Sequence, residues 1–178
     1  MSMQPQHPES SQRVQLKVLH YLRRWVGEVN LDYLRKRVFV VNFQGRPIEV
    51  DVRVNGQQGT IVSCYVAVGR ISVLEPTLLQ HLLEVNLRNT SLGAFALEPD
   101  GTIAIVQHIP GESLDFEEIK TTIISLSKMA SRYSNGISQR QEAIRTHLNS
   151  DLQETTLCEW KQLFGEDDLS HDEEGDRG

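Results

Sequence analysis

The feature that most constrains this chain is a leucine-dense helix that is apolar around about half of its circumference. Residues 75–88 read EPTLLQHLLEVNLR. Pro76 suits the first helical position, where a missing N–H costs nothing. Behind it come Leu78, Leu79, Leu82, Leu83, Val85 and Leu87. At 3.6 residues per turn they span an arc wider than the stripe of an ordinary surface helix. Thr77, Gln80, His81, Glu84 and Arg88 fill the polar half, which places His81 in solvent. An arc this wide needs two covers, its own sheet and then a second helix or a second subunit. The second cover predicts a homodimer, with Leu78, Leu79, Leu82, Leu83 and Val85 at its interface.

The flanking segments say what kind of sheet this helix meets. Residues 48–54 (IEVDVRV) alternate apolar and polar, the pattern of a strand with one buried and one wet face. Residues 38–43 form a β-branched and aromatic run before Gln44-Gly45, and residues 60–68 are apolar on both parities, as in a central strand. Short connections make these three an antiparallel meander. Two more strands, 94–98 and 102–108, join through Pro99-Asp100-Gly101, where proline presets φ and glycine accepts the left-handed position. Val14, Val18, Leu22, Trp25, Val26 and Val29 mark a first helix ending near Asn30, which Leu31 to Arg35 could extend. Asp115 and Glu118 make a capping box for a last helix, whose stripe of Phe116, Ile119, Ile123, Leu126, Ala130 and Tyr133 stops at Asn135-Gly136. The expectation is an α+β fold of order α-βββ-α-ββ-α, with a five-stranded antiparallel sheet and helices mainly on one face.

Charge narrows the function. The chain has 178 residues and a formal charge of −6, but residues 166–178 alone hold seven acids and one arginine. Residues 1–165 carry 17 basic and 17 acidic side chains and are neutral. A neutral body disfavours electrostatic capture of nucleic acid as the main task. The cations of the N-terminal third (Arg23, Arg24, Arg35, Lys36, Arg37) still leave an RNA- or anion-binding adaptor as an alternative. No apolar run approaches a membrane span, and the polar N-terminus resembles no signal peptide, so a cytoplasmic protein without membrane contact is expected. Cys64 and Cys158 form no CxxC, and Cys64 reads as a small buried hydrophobe.

Sites for chemistry are sparse. The sequence contains no GxxxxGK[ST], HExxH or GxSxG. The six histidines lack ligand spacing, and Glu49 and Asp51 are the wet side of an alternating strand rather than a catalytic pair. No catalytic residue, metal or cofactor is expected, and an enzyme would need a pocket assembled from residues distant in sequence.

The segments divide into a disordered lead (1–11), a domain (12–136), a weakly helical extension (137–165) and an acidic disordered tail (166–178). The leucine-rich second helix with its Asn86 is one distinctive feature. Others are the strand Gly93-Ala94-Phe95-Ala96-Leu97, the Asp100-Gly101 hairpin, and Leu114-Asp115-Phe116-Glu117-Glu118 opening the third helix. In these the domain resembles the type III secretion chaperone-like fold, in particular the YbjN-like family of small bacterial proteins. The resemblance spans residues 14–134. It implies a non-enzymatic, protein-binding homodimer that holds an unfolded segment of a client, or a regulator of sensory transduction. It implies no catalytic residue. Outside it, Leu157, Trp160, Leu163 and Phe164 fall on one side of a short helix and form a candidate partner-binding motif, either docked on the domain or seated in a partner's groove.

Overall fold

A computed structural model describes residues 8–27, 31–35, 38–55, 59–71, 74–88 and 93–147. Its elements are α1 (Pro8–Val26), β1 (Leu31–Arg35), β2 (Val38–Phe43), β3 (Arg46–Asn55), β4 (Gly59–Arg70), α2 (Pro76–Arg88), β5 (Ala94–Leu97), β6 (Thr102–Pro110) and α3 (Phe116–His147). The strands form one sheet in the order β1-β2-β3-β4-β6-β5, antiparallel at every pairing. The five expected strands are all present, and β4 is central as its two-sided apolar pattern requires. A sixth strand is added at the edge. Leu31 to Arg35 does not prolong α1, because the helix ends at Gly27, whose φ is 71°, and the next residues pair with the free side of β2.

One face of the sheet is the core. The alternation of β3 turns Ile48, Val50 and Val52 inward, each at most 1% exposed. The register aligns Val50 with Phe39 and with Cys64, so neighbouring strands bury the same parity. Ile103, Ile105 and Ile109 continue that layer on β6. Val14, Val18 and Leu22 of α1 and Ile119, Ile123, Leu126, Ala130 and Tyr133 of α3 close it from above. Two helices on one sheet face is the arrangement that the alternating strand demands.

Both helix ends nearest the lead and the extension differ from expectation. α1 begins at Pro8, and Ser11 is already buried, so residues 8–11 belong to the helix rather than to a lead. α3 passes through Asn135-Gly136 and runs on to His147. Tertiary packing overrides the stop signal there. Ile137 is 1% exposed and packs over Gly69 of β4, where an added Cβ would lie 3.1 Å from Ile137 Cγ2. One turn on, Arg140 donates to both carboxylate oxygens of Glu75, at 3.2 and 2.5 Å. At the other end Asp115 caps the helix, with the Glu118 N–H donating to Asp115 Oδ1 at 2.7 Å, which is the N-cap half of the expected box.

The β6–α3 connection is latched onto the start of β4. The Gly111 N–H donates to the Thr60 carbonyl at 2.7 Å, and the Thr60 N–H donates to Glu112 Oε1 at 2.9 Å. The second bond favours the ionised carboxylate and holds the Glu112 carboxyl below its ordinary value. A group lowered in the folded state stabilises above its unfolded value, and that contribution is lost as pH falls through the folded one. Glu112→Gln should therefore lower the urea midpoint at pH 7, and its gap from the wild type should narrow at about pH 3. A gap that is constant with pH would show that the carboxylate charge plays no part in the latch.

Candidate partner-binding surfaces

Helix α2 is fixed at both ends, which decides what it shows to solvent. At its N-terminus Glu75 is held by Arg140, both side chains being 15% exposed. Near its C-terminus Asn86 clasps the edge strand: its Oδ1 accepts the Phe95 N–H at 2.7 Å, and its Nδ2 donates to the Phe95 carbonyl at 3.1 Å. That side-chain amide takes the place of a neighbouring strand at Phe95, and it covers backbone groups that would otherwise invite another chain. Asn86 was legible only as part of a motif; its work follows from the register of β5.

With both ends pinned, α2 buries Leu78, His81 and Leu82, with Val85 packed beside them. These positions have the i, i+3, i+4, i+7 spacing of one helix face. His81 is thus inside, at 9% exposure, and not in solvent as its place on the polar half suggested. Leu78 and Leu82 are covered by their own chain and have little left to offer a subunit interface. Leu79 is half-buried. Leu83 and Leu87, one turn apart, are 66% and 79% exposed, with Leu74 at 60%. Of the expected interface residues, Leu83 is the one standing fully outside, and Leu87 joins it.

The second open surface is the face of the sheet opposite α1 and α3. Register places Val40, Glu49, Tyr65, Val106 and Ala94 in one row across five strands. Val38, Asp51, Ser63 and His108 form the next. Val40, Tyr65 and Val106 are half-buried and Ala94 is exposed. Acids surround Tyr65: Glu98 accepts a hydrogen bond from its hydroxyl, and Glu49 and Asp100 lie near. Burial comes first and these charges second in pushing the phenol up to about 12. The surface is therefore a shallow apolar strip with an acidic rim.

The same face holds the nearest thing to catalytic geometry. Ser63 Oγ and His108 Nδ1 are 2.9 Å apart, and Asp51 stands across from Ser63. A hydrolytic triad needs histidine between the serine and the acid. Here serine is in the middle, since β4 separates β3 from β6, and the Asp51 carboxylate is paired with Arg53. Glu49 and Asp51 share the wet face, as their alternation implied. Burial drives the Cys64 thiol up to about 12, so it is no nucleophile. Among the described residues no three His, Cys, Asp or Glu side chains are grouped to hold a metal, and no helix is long and apolar enough to cross a membrane.

Leu157, Trp160, Leu163 and Phe164 lie outside the described residues, as do Lys36, Arg37 and the acidic tail. Sequence reasoning missed the Glu75–Arg140 pair and the Glu112 latch; each joins residues more than fifty positions apart with no local pattern.

The arrangement is a six-stranded antiparallel sheet backed on one face by α1 and α3, with α2 clasped to its β5 edge. A family model named CesT_Tir_1, a type III secretion chaperone family, matches residues 11–142, and the chain belongs to that family. No curated protein matches it. Among solved structures it is similar to the ExsC–ExsE complex, with 17% identity over 68% of this chain and 93% of that one and a TM-score of 0.53. It is also similar to the heterodimeric ExoU–SpcU complex from the type III secretion system of Pseudomonas aeruginosa, with 18% identity over 65% and 93% and a TM-score of 0.49.

Proposed function

We propose that this chain is a non-enzymatic, cytoplasmic chaperone-type module that homodimerises through α2 and holds a segment of a client protein. The observation that supports it most is the exposure of Leu83 and Leu87 on a helix pinned at both ends. A rigid, exposed apolar surface is characteristic of a protein interface. The sheet strip of Val40, Tyr65 and Val106, with Glu49 and Glu98 at its rim, is the second surface and offers an extended client apolar contact beside acids. The ExsC–ExsE complex is a precedent for two chains associating on this fold. The regulation of sensory transduction attributed to YbjN-like proteins would use the same surfaces, with a regulator in the place of the client.

Leu157, Trp160, Leu163 and Phe164 form, in this reading, a tethered recognition motif. Tryptophan is a favoured interface anchor, and the acids that follow sit at the helix end where anions are disfavoured, so the motif is marginal until bound. Trp160→Ala is expected to leave the thermal midpoint unchanged and to weaken capture of partners from native lysate, as removal of the last 28 residues should. A lowered midpoint with undiminished capture would make the segment core and return the binding surface to the sheet. Capture that is unaffected by changes to Leu83, Tyr65 and Trp160 alike would refute the chaperone reading.

A further inference from the structure

Helix α1 turns a cationic face outward. Its core stripe is Val14, Val18 and Leu22; on the other side lie Arg13, Leu16, Lys17, His20 and Arg24, at spacings of three, four, seven and eleven from Arg13. Arg13, His20 and Arg24 are exposed, and Leu16 is exposed among them. The only acid on α1 is Glu9. The first turns of α3 extend this face. The Arg24 guanidinium lies 4.9 Å from the Phe116 ring centroid and Lys120 Nζ lies 5.7 Å from it, while Tyr21 meets the same ring edge-on. Lys120 is also within 3.3 Å of Glu117, which offsets part of its charge.

We propose that the occupant of this face is the acidic end of the same chain, Glu166 to Asp176, docked in cis. Charge complementarity comes first. Residues 1–165 are neutral as a whole, so the excess of Glu166, Asp167, Asp168, Asp172, Glu173, Glu174 and Asp176 is the protein's entire net charge. The cations of α1 and Lys120 are concentrated opposite the acidic rim around Tyr65, which lies on the other side of the sheet and repels the tail. Reach comes second. The 32 residues of α3 carry the chain about 48 Å from Phe116 to His147. The nineteen residues from His147 to Glu166 can span about 63 Å extended, so the acids return to α1. Leu157, ten residues past His147, can lie at most about 33 Å from it. The tail thus covers the cationic face, and Phe164, two residues before Glu166, is carried to the edge of that face with it. This contact is independent of the chaperone reading.

The test uses the full chain. Amide NMR spectra are compared between the wild type and a variant with the seven tail acids changed to Asn or Gln. Docking predicts shifts at residues 13–24 and near Lys120, and the wild-type spectrum should move toward that of the variant in about 0.5 M salt, where screening is within a few ångströms. A peptide of residues 166–178 added to the neutralised chain should restore the shifts, and Arg13→Glu with Lys17→Glu should abolish them. Identical α1 amides in the two chains would overturn the proposal. Contacts seen only between differently labelled molecules would overturn docking in cis. An RNA oligomer that binds α1 equally well with the tail charged or neutralised would also overturn it, because a docked tail must compete.

Discussion

Gly101→Ala is expected to destabilise the protein by about 3 kcal/mol or more, read as a fall in the denaturant midpoint. Two costs coincide there. Gly101 has φ of 85°, and a left-handed L residue costs about 1–2 kcal/mol. An added Cβ would also lie 2.4 Å from the carbonyl oxygen of Ile71. That oxygen is backbone, and the Ile71 N–H donates to the Gly101 carbonyl at 2.9 Å, so neither strand end can retreat without breaking the contact. Gly45→Ala is the internal control. Its φ is 75° but nothing lies within 4 Å of the added carbon, so only the conformational cost of about 1 kcal/mol remains. Equal effects at the two sites would mean that the β5–β6 turn moves freely against the end of β4.

Leu78→Ala and Leu83→Ala should separate cleanly, although the two residues sit on one helix and look alike in the sequence. Leu78 is fully buried, and truncating it removes transfer free energy and leaves a cavity, a loss of about 2–5 kcal/mol. Leu83 is 66% exposed, and its truncation should change protomer stability by no more than about 0.5 kcal/mol. Its effect belongs to association, where a central apolar anchor carries roughly 1–2 kcal/mol per subunit. A dimer is stabilised by mass action, so both variants should be unfolded at matched and low concentration. A large protomer loss at Leu83 would place it in a core that extends beyond the described residues.

How much of this was readable in advance depended on whether the signal was local. The alternation of Ile48, Val50 and Val52 and the turn at Pro99-Asp100-Gly101 are properties of a few consecutive residues, and both formed as read. The capping of Glu118 by Asp115 is of the same kind. The Asn135-Gly136 stop was local too and failed, because the burial of Ile137 and the Arg140–Glu75 pair hold the helix through it. Strand β1 was missed since its reason for existing is the open side of β2, not its own composition. On α2 the leucine count was visible but the direction of the arc was not. Pinning by Arg140 and Asn86 turned His81 inward and Leu83 outward, and neither pin has a pattern in the sequence. The candidate interface was therefore legible as an excess of apolar surface, while its membership needed the fold.

The most direct measurement is the mass of the protein in solution. Light scattering at micromolar concentration should give twice the 20.2 kDa chain mass, and Leu83→Asp with Leu87→Asp should return it to 20.2 kDa with the protomer still folded. A wild type that is strictly 20.2 kDa under those conditions, or a dimer indifferent to both substitutions, would contradict α2 as the association surface.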